Sequence, residues 1–355
     1  MNFVLPLAAC RLPIERQNAA LSSDSIENRK SKIANGFTLI EMLVTLTLLS
    51  LIVLALMAVF NSTQAAFRSS LTETDILESG RMAMGLMVND LAKTTPSLNF
   101  CSTNLLGVSR SLRFTNGPIN FYITANPYSR TNQPFLQNLP GTVLQRSNVL
   151  ESFFMLSRQN INGSPSWVGT GYAVDPFSWP TNSLYRFMAT ASAINGNPPV
   201  VFTNFYNAVY VYSFAQNKES SPFTNTTIWT HVMDGVVHLT VRPYDPNGLE
   251  MTNSTEINYN GTTNTFFNLN TIFFTPSSWP IASVAALDVR GCYMFSNAVP
   301  ASVEVNLGVL EDAVLQRAEG MSGAAQLNYL SNHVGQVHLF RQRVWIRNVD
   351  PTAYQ

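Results

Sequence analysis

KSKIANGFTLIEMLVTLTLLSLIVLALMAVF, residues 30–60, holds a single acid, Glu41, inside a run that is otherwise uncharged from Phe37 onward. As a helix, Phe37 to Phe60 spans roughly 36 Å, enough to cross a bilayer with some tilt. Arg29, Lys30 and Lys32 sit just before the run, and the next charge after it is Arg68. That basic cluster puts the N-terminus in the cytoplasm and the bulk of the chain outside. Glu41 lies about 6 Å along the helix axis from Phe37, so it is shallow in the membrane. A carboxylate in an apolar helix is costly, least so near the interface. Glu41 therefore either reaches back to water or meets a cation. The run itself holds no cation, unless cleavage after Gly36 frees an α-amine on Phe37.

The rest of the composition agrees with an extracytoplasmic chain. Formal charge balances at zero, so there is no basic footprint and no nucleic-acid partner is expected. Charged residues are 12% of the chain and aromatics 11%, which suits a β-rich outer domain better than a cytosolic helical enzyme. Two other targeting readings are weaker. "VLPLAAC", residues 4–10, has the form of a lipoprotein box ending at Cys10, but no Lys or Arg precedes it. A secretory signal cut near Thr63-Gln64-Ala65 would need an apolar region far longer than such signals have.

A basic leader ending in Gly36, then Phe37-Thr38-Leu39-Ile40-Glu41, then Met42, Leu43 and Val44 in a long apolar run, resembles the class III signal of type IV prepilins and type II secretion pseudopilins. The resemblance implies that a membrane prepilin peptidase/methyltransferase cuts after Gly36 and methylates the new amine of Phe37. It also implies that Glu41 meets the N-terminal amine of a neighbouring subunit during assembly. A charge pair in low dielectric offsets the burial that either ion alone would suffer. Three segments of the tail, "VMDGVVHLTVRPYDPNG", "VPASVEVNLGVLED" and "FRQRVWIRNVDP", resemble the sheet and closing strands of the large minor pilins and of the J-type minor pseudopilin. A large prepilin-like protein of verrucomicrobial gene cassettes is a further likeness.

The expected fold class is α+β: a long N-terminal helix, half in the membrane and half amphipathic, packed on a β-rich pilin-like domain. The boundaries are a leader at 1–36, a membrane half at 37–60, an amphipathic half at 61–95 and a globular domain at 97–355. In the second half Phe67, Leu71, Leu77, Met84, Met87 or Val88, and Leu91 recur at helical spacing, with Arg68, Glu73, Asp75, Glu78, Arg81 and Asp90 as the polar face. Pro96 is the expected stop. Strands are expected at 120–124, 183–190, 200–214, 235–244, 266–274, 301–307 and 336–347, with a short helix at 311–319. Asp245-Pro246-Asn247-Gly248 reads as a turn. After leader removal Cys101 and Cys292 remain, a candidate disulfide outside the cytoplasm.

The signatures of catalysis are missing. His231, His238, His333 and His338 lack the i, i+4 pairing of a helical metal site, and no Cys-x-x-Cys, Gly-x-Ser-x-Gly or phosphate loop occurs. No enzyme, metal or cofactor is expected. Two function classes stand: a structural minor subunit that primes or caps a filament at the inner membrane, and a bitopic protein whose outer domain binds or senses a ligand.

Overall fold

The computed structural model describes residues 38–98, 119–125, 135–175, 178–193, 201–206, 208–209, 222–251, 271–274 and 291–354. The fold is α+β. Helix α1 runs Leu39–Leu91. The strands are β1 (Ile119–Ala125), β2 (Phe135–Asn138), β3 (Gln145–Asn148), β4 (Glu151–Ile161), β5 (Ser164–Val174), β6 (Leu184–Ser192), β7 (Trp229–Met233), β8 (Val236–Tyr244), β9 (Thr271–Phe274), β10 (Gly291–Phe295), β11 (Ser302–Leu310) and β12 (Val337–Trp345). Short helices α2 (Val201–Tyr206), α3 (Asp312–Glu319) and α4 (Gly323–Ser331) complete the described elements. The chain divides into two compact units, Met1–Ser62 and Thr63–Gln355.

In the first unit the described residues are helical from Leu39, and their apolar side chains are exposed from Leu39 to Phe60. This part makes α1 long and apolar enough to cross a membrane. Thr45, Thr47 and Ser50 return their hydroxyls to the carbonyls three residues back, at 2.8–2.9 Å. Those bonds satisfy the hydroxyls within the helix, as an apolar setting requires.

In the second unit, three sheets form among the described residues. Seven strands pair in the order β7-β6-β5-β4-β1-β10-β9, three in the order β12-β11-β8, and β2 pairs with β3. The inner stripe of α1, Ile76, Ala83, Met84, Met87 and Leu91, shares one core with Phe153 and Met155 of the large sheet. Val303, Val305 and Leu307 of the three-stranded sheet belong to the same core. Helix and sheets are held by the burial of this apolar surface, the main favourable term in folding. Gly80 has a packing reason: a Cβ there would fall 2.2 Å from the Phe340 ring, so only glycine lets that ring lie against the helix.

The other face of the large sheet carries a second, aromatic core of Tyr122, Phe154, Phe187, Phe202, Phe205 and Trp229. Its rings meet edge-on or tilted at 5–7 Å, the preferred geometry of aromatic pairs. Gly169 on β5 lets α2 approach, since a Cβ there would lie 2.2 Å from Val201 Cγ1.

Several expectations are corrected. The strand expected at 200–214 is helical over Val201–Tyr206, and 200, 207 and 210–214 lie outside the described residues. Its composition is strand-like, but Val201, Phe202, Phe205 and Tyr206 are the buried positions, a helical spacing. The long helix ends at Leu91 rather than at about Thr95, because Thr94 bridges to Ser157 and the Thr95 amide donates to the Leu156 carbonyl in the middle of β4. Phe67 and Leu71 are exposed rather than in the core stripe, which begins only at Ile76. Asp90, expected on the polar face, is buried.

Asp245-Pro246-Asn247-Gly248 is a turn: the Gly248 amide donates to the Asp245 carbonyl at 3.0 Å, and Asp245 Oδ1 accepts from the Leu249 amide at 2.7 Å.

Candidate assembly site

At the start of α1, Thr38 and Glu41 bond each other. Glu41 Oε2 accepts from the Thr38 amide and from the Thr38 hydroxyl, both at 2.9 Å, and the Glu41 amide donates to Thr38 Oγ1 at 3.4 Å. This reciprocal arrangement is a capping box: two of the amides left free at a helix N-terminus find side-chain acceptors. Both of these bonds to the carboxylate fall on Oε2. A helix N-terminus also favours a negative charge in its first turn. The Thr38-x-x-Glu41 spacing carried this signal in the sequence, where Glu41 was read only for its charge. Gly36, Phe37 and the basic residues Arg29, Lys30 and Lys32 lie outside the described residues.

Residues 31–57 match the family described as the prokaryotic N-terminal methylation motif. The chain carries a prepilin-type N-terminal signal. The matched stretch of that prepilin-type signal spans the Gly36-Phe37 junction and Glu41, and its apolar part lies on α1. No curated protein and no solved structure matches the chain. A prepilin-type signal with an apolar helix behind it fits a membrane-anchored, pilin-like precursor.

Beyond the apolar run, α1 presents a second feature suited to assembly. Phe67, Leu71 and Met82 are each more than half exposed and fall on the side of the helix away from Ile76, Met84 and Met87. Exposed apolar side chains sharing one stripe of a helix are suited to contact with another helix.

The same helix is fastened to the large sheet by one charged group. Asp90, 5% exposed, accepts the Tyr172 hydroxyl at 2.6 Å and Arg186 Nε at 2.8 Å on Oδ2, and Arg186 Nη2 at 3.2 Å on Oδ1. The bidentate fork suits a guanidinium and carboxylate. Burial, together with the Asp90 charge, pushes the Tyr172 phenol well above its ordinary range, so it stays a donor. Nothing in the linear spacing of 90, 172 and 186 announces this cluster.

Among the described residues no group of three or more His, Cys, Asp or Glu side chains could hold a metal ion. The histidines have individual partners: His231 Nε2 lies 2.8 Å from Asp234 Oδ1 and His338 Nε2 lies 3.3 Å from Glu311 Oε1. His238 is different. Its Nδ1 accepts the Val149 amide at 3.2 Å, which requires an unprotonated nitrogen. Burial first, then the Arg146 and Arg242 charges, push its titration down to about 4. The folded state keeps His238 neutral where the unfolded chain takes up a proton near its ordinary pKa of about 6.5. The stability this contributes is present above pH 6.5 and is lost as pH falls toward 4, about 3 kcal/mol in all. Denaturant midpoints of wild type and His238→Gln measured from pH 4 to 7 are expected to converge at the acid end. A difference that stays constant with pH would show that His238 titrates normally.

Among the described residues Cys292 on β10 forms no disulfide, and its thiol is pushed well above the ordinary thiol range chiefly by burial. Cys101 lies outside the described residues.

Proposed function

We propose that the chain is the precursor of a minor pilin or pseudopilin that joins, primes or caps a type IV pilus or type II secretion-like filament. The observation that carries this reading is the match of residues 31–57 to the methylation motif, with Glu41 in the first turn of a long apolar helix. In this reading residues 1–36 are a leader whose Arg29, Lys30 and Lys32 stay in the cytoplasm. A prepilin peptidase/methyltransferase cuts between Gly36 and Phe37 and methylates Phe37. Residues 37–60 sit in the inner membrane, 61–95 extend the helix, and 97–355 form a structural, non-catalytic domain on the periplasmic side.

Chain bulk aligns this subunit with the large minor pilins, the J-type pseudopilin or the verrucomicrobial cassette proteins rather than with small shaft-forming pilins. The exposed Phe67–Leu71–Met82 stripe supports contact with helices of other pilin or pseudopilin subunits.

The test is the terminus of the protein purified from membranes. Sequencing and intact mass are expected to show methylated Phe37 at the start, and Gly36→Val is expected to leave the leader uncut, since a side chain there crowds the peptidase's approach to the backbone. A chain beginning at Met1, at a lipidated Cys10 or at Ala66 would sink the proposal. In the same oxidising setting we place a disulfide between Cys101 and Cys292, worth about 2–5 kcal/mol. A non-reducing peptide map should recover the two cysteines linked. Recovery of both as alkylatable thiols in the unfolded, unreduced chain would remove the bond from the proposal.

A further inference from the structure

Strand β12 closes one side of the three-stranded sheet. The opposite side is engaged: the Leu239 amide of β8 donates to the Val149 carbonyl at 2.8 Å, and the Val241 amide donates to Glu151 Oε2 at 2.6 Å. Among the described residues β12 has a strand, β11, on one side only. Its pairing with β11 runs without a bulge from Ser302↔Trp345 to Leu310↔Val337, and its nine residues contain no proline. Sheet edges usually avoid further pairing by being short, bulged or interrupted by proline. β12 has none of these devices.

What it has instead is a pattern on the sheet's outer face. Leu339, Arg341, Arg343 and Trp345 alternate along β12 and are all exposed, Leu339 at 59% and Trp345 at 62%. The two arginines are pre-positioned. Arg341 Nη2 donates to Glu304 Oε2 at 2.9 Å while its side chain stays 70% exposed. Arg343 Nε donates to Ser302 Oγ at 2.9 Å, and its guanidinium lies 3.8 Å from the Tyr244 ring centroid and 5.3 Å from that of Trp345. A guanidinium has five N–H donors, so each retains some for another acceptor.

We propose that β12 receives an extended acidic segment of a partner protein as an added strand. Side chains directly opposite on one face of a strand pair lie about 5 Å apart. An added strand therefore sets two of its residues, two positions apart, against Arg341 and Arg343, with apolar residues flanking them against Leu339 and Trp345. The segment that fits reads apolar-x-acid-x-acid-x-apolar, and the pattern is the same in either direction. A second copy of β12 does not fit. In the symmetric antiparallel register centred on the strand, Arg341 faces itself, and like charges opposite one another are destabilising. Arginines alone would isolate the edge. The two exposed apolar residues beside them offer burial that isolation does not need, and main-chain bonds along the strand would supply affinity.

The probe is a labelled, acetylated and amidated peptide, Val-Thr-Glu-Thr-Glu-Thr-Val, titrated against the full chain in detergent micelles and followed by fluorescence anisotropy. Saturable binding is expected. Replacing both glutamates of the peptide by lysine should weaken binding by at least about tenfold. N-methylating either the three threonines or the two glutamates should abolish it in one of the two cases, because alternate residues point their amides at β12. The double change Arg341→Glu and Arg343→Glu should exchange the preference to the lysine peptide. No saturable binding overturns the proposal. So does equal binding by the lysine peptide, or by both N-methylated peptides, which would be surface attraction without strand pairing. If the double variant does not fold, the peptide series alone decides.

Discussion

Glu41→Gln is expected to keep the start of α1 helical and to lose incorporation into a filament, by about two orders of magnitude. Glutamine accepts the Thr38 amide as glutamate does, so the capping box survives the change. The charge does not survive, and with it goes the partner that the prepilin resemblance implies for the ammonium on a neighbour's Phe37. Glu41→Ala removes both and is expected to fail for two reasons at once, so the glutamine variant is the informative one. Crosslinking to other pilin-like subunits in the membrane reads the outcome, with leader cleavage followed in parallel. If the glutamine variant crosslinks like wild type while alanine does not, Glu41 acts by capping the helix and the proposed ion pair is wrong.

Asp90→Ala should unsettle the second unit more than any surface change. Asp90 is buried with Arg186 on one side and the Tyr172 hydroxyl on the other, so its removal leaves a half-buried guanidinium and a buried phenol without their acceptor. Breaking a buried pair from one side typically costs about 3–5 kcal/mol. That is a large part of the 5–15 kcal/mol by which domains are stable. Tyr172→Phe removes one hydrogen bond and leaves the ion pair, so about 1–2 kcal/mol is expected. The two changes share a partner, and their effects in the double variant should fall short of the sum. Near-UV circular dichroism of the full chain in detergent measures the melting of the second unit. An Asp90→Ala midpoint equal to that of wild type would mean that water reaches Arg186 and the cluster does not hold the helix.

The apolar run and its acid were legible because hydropathy and a single charge are local properties. So were β8, β11 and β12, whose β-branched composition and bounding turns name them as strands. The β4–β5 hairpin, at the centre of the large sheet, went unread although its turn was written plainly. Asn162 and Gly163 separate the two strands and both take positive φ, 51° and 80°, as the tight hairpin turn demands. α2 was mistaken because aromatic and β-branched residues suggest a strand, while its burial follows the helical period. Asp90 was legible only as a charge on a helix. Its burial depends on Arg186 and Tyr172, which arrive on neighbouring strands of one sheet, and no local pattern encodes that meeting.

The inner stripe of α1 has a consequence for the order of events in synthesis. Ile76, Met84 and Met87 emerge early, yet they complete their core against β11 and β12, the last strands made. The Phe340 ring that lies against Gly80 comes from β12, far along the chain from α1. Contacts so distant along the chain form slowly, because the loop must close before they return any stabilisation. The second unit therefore matures only after β12 has been made. Until then the helix that anchors the chain carries its own unfilled core face.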